Sequence, residues 1–201
     1  MHPLILPAGE GLDTAVAALR DGGVVAYPTE TVYGLAADPF SPRALDNLFR
    51  VKAREEGRAV LVVVANRSHL KALAASVSDE AERCIRAFWP GPLSLLFPPA
   101  PGLHEALIGP DGKVCVRETA HPAARALCLA WGGGLTSTSA NLSGKPPAVA
   151  ARGACLDGVS LVLDGGALPP SPPSTVFDPD TRAVLREGRI TRRMLAEAGA
   201  L

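Results

Sequence analysis

Residues 24–35 have the sequence VVAYPTETVYGL, in which an apolar strand leads directly into a polar segment. We predict a buried strand at residues 24–27, because they are apolar and follow the helix-ending pair Gly22-Gly23. The polar segment offers two threonine hydroxyls, a carboxylate and the phenol of Tyr33. Such groups after a strand suit the directed hydrogen bonding of a small polar ligand, and a capped turn with a half-buried Tyr33 is the structural alternative.

Helical and strand segments alternate along the rest of the chain. Helices are predicted at residues 12–21, from Ser41, from Ser78 and at about 122–131. Further strands are predicted at residues 60–64, 93–97, 114–116, 135–137 and 161–163, and at 176–177 and 184–185, which pair across a turn. The alternation predicts an α/β domain built around one large sheet with mixed parallel and antiparallel pairing.

The composition is that of an ordinary globular protein of 201 residues, 47% hydrophobic and 20% charged. We therefore expect a single domain over residues 1–201, with a core at about residues 9–193. Lys+Arg and Asp+Glu both number 20, so the net charge is zero. The long-range field that draws many proteins to nucleic acid or anionic membrane is missing, and any anion site must be local.

The N-terminus lacks the pattern of a secretory signal, and no stretch is long and apolar enough to cross a bilayer. We expect a cytoplasmic protein without a membrane partner. The four cysteines form no CxxC pair and the four histidines have no paired spacing. No structural metal site made of protein ligands alone is expected.

Two further polar segments favour an anion site. Lys52 and Arg54 lie at the end of a predicted helix, where lysine acts as a mobile charge and arginine as a fork for phosphate oxygens. A solvated helix end stabilised by the helix dipole is the alternative. Residues 136–141 contain four hydroxyls and one amide, which suit phosphates, a ribose or a magnesium ion, with an irregular surface loop as the alternative.

Several familiar motifs are absent from the sequence, namely GxxxxGK[ST], GxGxxG and GxSxG. The chain therefore lacks the signatures of P-loop nucleoside triphosphatases, Rossmann dehydrogenases and α/β-hydrolases.

Taken in order, the polar segments resemble the YrdC/Sua5 family of threonylcarbamoyl-AMP synthases over nearly the whole chain. The resemblance is carried by PTETVYGL at 28–35, the Lys52/Arg54 pair, WPGPLS at 89–94, VRETAHP at 116–122 and STSANLSG at 137–144, with further similarity at 174–176 and 185–188. It implies a twisted mixed β-sheet flanked by helices, with a concave basic active-site cavity.

The resemblance also implies a reaction and its participants. Members of the family join L-threonine, bicarbonate or CO2, and ATP into threonylcarbamoyl-AMP and pyrophosphate, as nucleotidyltransferases that use Mg2+ with ATP and no organic cofactor. A threonylcarbamoyltransferase complex then transfers the group to an adenosine of tRNA. Whether the chain itself contacts tRNA is left open by the sequence.

Residue roles follow from the same resemblance. Lys52, Arg54, Ser139 and Asn141 are expected at the ATP phosphates and the magnesium ion, with Lys52 and Arg54 as the catalytic pair. The expected threonine and carbamate contacts are Thr31, Tyr33, Arg117, Ser137 and Ser174, and the further nucleotide contacts are Lys113 and Arg186.

The sequence departs from the family pattern beside the Lys52/Arg54 pair. Glu55 stands where many members have proline, and Ala59-Val60 replaces a Pro-Leu pair. The pair Glu55-Glu56 brings negative charge next to the expected phosphate site, and Arg58 offsets part of it. Longer members carry a second C-terminal domain, and this chain is expected to be the short form.

Two other functions are weighed against the synthase. A non-catalytic RNA- or tRNA-binding module of the same fold is disfavoured by the zero net charge and by the small number of aromatic residues, two Trp, two Tyr and five Phe. A carbamoyl-transfer domain, of the kind found in hydrogenase-maturation proteins and acting on carbamoyl phosphate, is disfavoured because no acylphosphatase-like or zinc-binding segment is present.

Overall fold

Strands and helices alternate along the computed structural model, which describes residues 3–53 and 59–201. The strands are β1 (Leu4–Pro7), β2 (Val24–Pro28), β3 (Tyr33–Ala36), β4 (Val62–Val64), β5 (Leu93–Phe97), β6 (Val114–Glu118), β7 (Leu135–Thr136), β8 (Thr138–Ser139), β9 (Val159–Asp164), β10 (Thr175–Asp178) and β11 (Ala183–Arg186). The helices are α1 (Leu12–Arg20), α2 (Pro42–Lys52), α3 (Arg67–Leu70), α4 (Asp79–Phe88), α5 (Pro122–Trp131) and α6 (Arg192–Glu197).

The strands form two mixed sheets rather than the one large sheet expected. The first has the order β1-β9-β2-β3-β8 and the second the order β11-β10-β5-β6-β4-β7. In the first sheet β9 runs parallel to both β1 and β2, and β3 is antiparallel to β2. The α/β class with mixed pairing is confirmed, and the number of sheets is corrected.

The division between the sheets occurs within the segment predicted as one strand at residues 135–137. β7 pairs with β4 in the second sheet, whereas β8 pairs with β3 in the first. Ser137 lies between them, and its backbone N–H donates to the carbonyl of Leu61 at 2.7 Å. The chain therefore crosses from one sheet to the other at Ser137, a change that its local sequence does not encode.

Strand β2 is buried on both faces. Val24 and Ala26 belong to one core cluster, while Val25 and Tyr27 belong to a second cluster that includes residues of α1 and α5. This alternation follows from the two-residue period of a strand. The predicted strand at residues 24–27 is confirmed. Tyr27, at its C-terminal end, packs in the second cluster with residues of α1, α5 and the second sheet.

Helix α2 begins and ends where its sequence predicts. The Ser41 hydroxyl accepts the Ala44 N–H at 3.3 Å, and Pro42 occupies the first turn. Leu45 and Leu48 bury the inner face, and Ala53 ends the helix in a left-handed conformation with a φ of 44°. Lys52 thus becomes the last helical residue and is held close to the core.

Strand β3 replaces part of the predicted polar loop. Residues Tyr33 to Ala36 pair with β2 in antiparallel register, so the connecting turn is confined to residues 29–32. The turn closes through the Thr29 N–H, which donates to the Val32 carbonyl at 3.2 Å.

No helix in the described ranges is both long and apolar enough to cross a membrane.

Candidate active site

A cavity of about 630 Å³ is lined by residues from both sheets. Three of its described lining residues are cations, Lys52, Arg117 and Arg186, and none is a carboxylate. Its hydroxyl-bearing lining residues are Thr29, Thr31, Ser137, Thr138, Ser139, Ser143, Ser171 and Ser174. A concave, cationic and hydroxyl-rich surface is suited to an anionic ligand with several oxygen atoms.

Three of the residues predicted at the ATP phosphates meet at one end of the cavity. The Lys52 ammonium donates to the Ser139 carbonyl at 2.6 Å and to Asn141 Oδ1 at 2.8 Å. The Ser139 hydroxyl donates to the same Asn141 oxygen at 2.6 Å. Lys52 is 4% exposed, so its amine is fixed by these contacts beside the cavity wall.

The loop that follows β8 is attached to the end of α2. The Ser143 N–H donates to the Lys52 carbonyl at 3.1 Å, which satisfies one of the orphan carbonyls of the last helical turn. The Asn141 amide donates to the Lys145 carbonyl, and the Ala140 N–H donates to the Tyr33 carbonyl at 2.8 Å. The helix end and the loop therefore form one unit.

Arg117 lies on β6 and contacts a protein carboxylate. Its Nη2 is 3.4 Å from Glu30 Oε2 in the turn between β2 and β3. Glu30 Oε1 accepts from the Thr119 hydroxyl at 2.9 Å and from the Ala120 N–H at 2.6 Å. Burial alone would raise the pKa of Glu30, but Arg117 and the hydrogen bonds outweigh it and hold that pKa below its ordinary value.

Arg186, another cation of the cavity lining, is fixed by Ser174. Its Nε donates to the Ser174 carbonyl and its Nη2 to the Ser174 hydroxyl, both at 3.1 Å. The hydroxyl of Ser94, which is fully buried on β5, lies 3.1 Å from the Ser174 hydroxyl. Burial lowers the pKa of Arg186, and the nearby charge of Arg117 lowers it further.

The connection from β9 to β10, residues 165–174, contributes one wall. Ser171, Pro173 and Ser174 line the cavity, although most of the connection is exposed. Tyr33 anchors its start, since the phenol donates to the Gly166 carbonyl at 2.8 Å and accepts the Gly165 N–H at 3.1 Å. Ser171 and Pro173 were not predicted from the sequence, in which the available signal was a proline-rich polar stretch directly before a strand.

The chain can now be compared with known proteins. Residues 17–188 match the Sua5/YciO/YrdC family model, whose description reads "Telomere recombination". The chain belongs to this family.

Several relatives of the chain bear the name threonylcarbamoyl-AMP synthase. That of Methylococcus capsulatus is 46% identical over 143 residues, covering 70% of this chain and 76% of the relative. That of Alkalilimnicola ehrlichii is 39% identical over 176 residues, covering 85% and 92%. The solved structure of P. abyssi Sua5 complexed with L-threonine aligns with a TM-score of 0.88 at 29% identity, covering 98% of this chain and 59% of Sua5.

Most of the site residues predicted from the family resemblance line the one cavity. These are Lys52, Ser139, Asn141 and Arg186 from the nucleotide set, and Thr31, Arg117, Ser137 and Ser174 from the threonine set. Arg54, together with Glu55, Glu56 and Arg58, lies outside the described residues.

Two predicted contacts are placed away from the cavity lining. Tyr33 is fully buried, and its phenol is used to anchor Gly165 and Gly166. Lys113 forms ion pairs with Asp178 at 2.7 Å and Asp180 at 2.9 Å. Both side chains therefore have structural partners, and a direct ligand contact would require these bonds to be exchanged.

Among the oxygen atoms near Lys52, Asn141 Oδ1 could bind a magnesium ion that arrives with phosphates only by exchanging its hydrogen bonds from Lys52 and Ser139. The described residues contain no group of three or more His, Cys, Asp or Glu side chains able to hold a metal ion. Ser139 Oγ and Asn141 Oδ1 are neutral oxygen donors 2.6 Å apart. Mg2+ keeps several waters and takes many of its ligands from substrate phosphates, so a few neutral protein oxygens are compatible with it.

Proposed function

We propose that this protein is an L-threonylcarbamoyladenylate synthase, which makes threonylcarbamoyl-AMP and pyrophosphate from L-threonine, bicarbonate or CO2, and ATP. The observation that carries the proposal is the placement of Lys52, Ser139 and Asn141 in the same cavity as Arg117 and Arg186. Relatives that bear the name of this activity are 39% and 46% identical to the chain. The Sua5 complex with L-threonine supports threonine as a substrate, although the chain spans 59% of that protein.

The proposed chemistry needs two steps. The neutral amine of threonine first combines with CO2 to form a carbamate and release a proton, or with bicarbonate to form the same carbamate and release water. A carbamate oxygen then attacks the α-phosphorus of ATP in line, forming the P–O bond as the bond to the pyrophosphate leaving group breaks. Such a displacement depends on positioning and charge neutralisation, so no protein nucleophile is required.

The cavity residues divide into two sets with different tasks. Lys52 and Arg54 are proposed to neutralise charge on the ATP phosphates during the displacement, with Ser139, Asn141 and Arg186 as further nucleotide contacts. Arg117 is proposed to receive the threonine carboxylate or the carbamate, with Thr31, Ser137 and Ser174 as hydrogen-bonding partners. Magnesium is proposed to arrive with ATP and to neutralise phosphate charge near Ser139 and Asn141.

The product requires a second activity to consume it. Threonylcarbamoyl-AMP is a mixed anhydride, and a threonylcarbamoyltransferase complex is proposed to transfer its acyl group to an adenosine of tRNA in the cytoplasm. Because the carbamate attacks the α-phosphorus of ATP, the proposed activity is that of a nucleotidyltransferase. It is the first step of the tRNA modification.

An RNA-binding module of the same fold is the second candidate. Its expected signature is a basic groove with aromatic side chains on which bases stack. The described lining of the cavity contains cations and hydroxyls but no aromatic residue. This lining favours small anionic substrates over single-stranded nucleic acid.

The first experiment measures pyrophosphate release from ATP and bicarbonate with and without L-threonine. Wild-type protein should release pyrophosphate only when threonine is present, and Lys52→Ala and Ser139→Ala should lose this release while remaining folded. Lys71→Ala and Ser76→Ala are matched controls, because both residues are exposed and neither lines this cavity.

Other outcomes would select another function. Release that is independent of threonine would contradict the synthase proposal. A tight, salt-sensitive complex with tRNA in the absence of ATP, without pyrophosphate release, would favour the RNA-binding module. Consumption of carbamoyl phosphate would favour the carbamoyl-transfer domain.

A further inference from the structure

Arg117 is a buried cation whose orientation depends on one neighbour. The residue is 2% exposed and lines the cavity. Its ion-pair partner is Glu30, with 3.4 Å between Nη2 and Oε2. Arg117 Nε is buried and has no hydrogen-bond partner within the described chain. Arg117 therefore lines the cavity with part of its hydrogen-bonding capacity unused, which suits its guanidinium to a further acceptor.

Glu30 is itself held by the segment that carries Arg117. Its Oε1 accepts from the Thr119 hydroxyl at 2.9 Å and from the Ala120 N–H at 2.6 Å. Its Oε2 is buried without a hydrogen bond and faces the arginine. The residues after β6 therefore hold Oε1 of the Glu30 carboxylate, while Oε2 remains directed at the Arg117 guanidinium.

The contact also joins the two sheets and balances charge. Glu30 belongs to the β2–β3 turn of the first sheet, whereas Arg117 belongs to β6 of the second. Arg117 lies near enough to Arg186 to lower the pKa of the latter, so the two cations repel each other. The Glu30 carboxylate offsets this repulsion through its ion pair with Arg117, and Glu30 itself is not among the residues that line the cavity.

We propose that Glu30 is a positioning residue for threonine, holding the Arg117 guanidinium so that its remaining N–H groups receive the carboxylate or carbamate of the substrate. Glu30 does not touch the substrate, and its effect passes entirely through Arg117. The inference rests on the proposed function, since it assigns the residue that organises the threonine end of that site.

A Glu30→Gln substitution tests this role with little change in size. The glutamine carbonyl can still accept from Thr119 and Ala120, but its NH2 group then faces the guanidinium and repels it. Glu30→Asp keeps the charge on a shorter side chain. Glu118→Gln is the matched control, because Glu118 lies next to Arg117 in sequence but pairs with Arg125 and does not line the cavity.

The measurements are KM for threonine, KM for ATP and kcat from pyrophosphate release, with the Kd of L-threonine from calorimetry without ATP. Glu30→Gln should raise the KM and Kd for threonine by about ten- to a hundredfold, the loss expected for one charge-assisted contact. Its KM for ATP should change by less than about threefold. Glu30→Asp should recover part of the threonine affinity, and Glu118→Gln should match the wild type.

Two results would overturn the inference while leaving the proposed function intact. In one, the wild type shows threonine-dependent release and Glu30→Gln has the threonine KM and Kd of Glu118→Gln. In the other, Glu30→Gln weakens threonine and ATP equally and Glu30→Asp restores neither, which is the behaviour of a purely structural residue. Wild-type protein that neither binds threonine nor releases pyrophosphate with it would overturn both proposals.

Discussion

The Asn141 side chain makes three hydrogen bonds to described residues, and two of them end on the same oxygen atom. Lys52 Nζ and Ser139 Oγ both donate to Asn141 Oδ1, while its amide group donates to the Lys145 carbonyl. The two donors to Oδ1 fix the orientation of the amide, so its oxygen faces the ammonium of Lys52. At this position a neutral acceptor holds the lysine without adding negative charge to an anion site.

We expect Asn141→Asp to weaken ATP binding. The carboxylate still accepts from Lys52 and Ser139, but it repels the phosphates that Lys52 is proposed to bind. The KM for ATP should rise by about tenfold or more, equivalent to ~1.4 kcal/mol, as measured by pyrophosphate release at saturating threonine.

Asn66→Asp is the control for this substitution. Asn66 Oδ1 accepts the Ser68 N–H at 3.0 Å at the start of α3, and aspartate serves equally well in that capping position. It introduces the same charge outside the cavity and should leave the KM for ATP unchanged. An unaltered KM in Asn141→Asp would argue that Asn141 lies away from the bound phosphates.

The sequence predicted the types of residue in the site better than their contacts. The local pattern offered Ser139, Asn141 and Lys52 as candidates, and the ordered family segments assigned them to the nucleotide, because a lysine at a helix end is by itself explained by the helix dipole. Tyr33 and Lys113 were also predicted as ligand contacts, from a looser similarity, yet their polar groups bond to Gly166 and to Asp178. Partners more than sixty positions away are not encoded in the local pattern.

At the scale of elements, Lys113 connects the start of β6 to the turn between β10 and β11. Its ammonium contacts Asp178 and Asp180, and the side chains of Lys113 and Asp178 are 17% and 7% exposed. Burial alone would raise the pKa of Asp178, but hydrogen bonding to Lys113 outweighs it and holds the pKa below its ordinary value. The pair therefore supports the edge of the second sheet.

We expect Lys113→Met to destabilise the protein without changing its affinity for ATP. Removing the cation leaves a largely buried carboxylate without its partner, which should lower the free energy of unfolding by about 1–3 kcal/mol. Urea denaturation measures this change, and pyrophosphate release measures the KM for ATP.

Arg193→Met is the matched control, since Arg193 pairs with Glu197 on an exposed part of α6. Its loss should cost less than about 0.5 kcal/mol. A stable Lys113→Met protein with a much higher KM for ATP would instead place Lys113 at the nucleotide.

Several elements could be predicted because their signals are local. Helix α5 at Pro122–Trp131 and strand β5 at Leu93–Phe97 have the predicted bounds, since proline starts the helix and the mainly apolar strand is flanked by Pro92 and Pro98. The split between β7 and β8 could not be predicted, because Ser137 directs the chain between sheets through a backbone contact with Leu61. Sheet membership is a tertiary property that local propensity does not determine.

At the scale of the whole molecule, zero net charge coexists with a strongly charged interior site. Four ionisable side chains, those of His69, His121, Glu30 and Asp178, have pKa values in the folded protein that make it less stable in acid. Burial holds the pKa of His69 and His121 below the ordinary value of 6.5. The pKa values of Glu30 and Asp178 are also lowered, from ordinary values of 4.5 and 3.8, where their cationic partners and hydrogen bonds outweigh burial.

We expect the free energy of unfolding to decrease towards acid in two stages. Below pH 6.5 the unfolded chain binds protons at His69 and His121 before the folded protein does, which favours unfolding. The stabilisation from Glu30 and Asp178 is present above their ordinary pKa values and is lost as the pH falls through their lower folded values.

Urea denaturation between neutral pH and about pH 3 tests the carboxylate stage. The difference in unfolding free energy between the wild type and Glu30→Gln should narrow at the acid end, because protonation removes the charge that distinguishes them. A difference that stays constant with pH would contradict a contribution from the Glu30 charge.

The exposed connection at residues 165–174 lines the cavity, and along the sequence it also separates the cavity's lining residues into two groups. Lys52, Arg117 and Asn141 precede it, whereas Arg186 follows it, and β10 beyond it pairs with β5 before it. A chain cut within this connection would give two fragments, neither of which holds all the cavity's cations. Their recombination, driven by the β10–β5 pairing, would restore the cavity, so catalytic turnover would act as a reporter of fragment complementation.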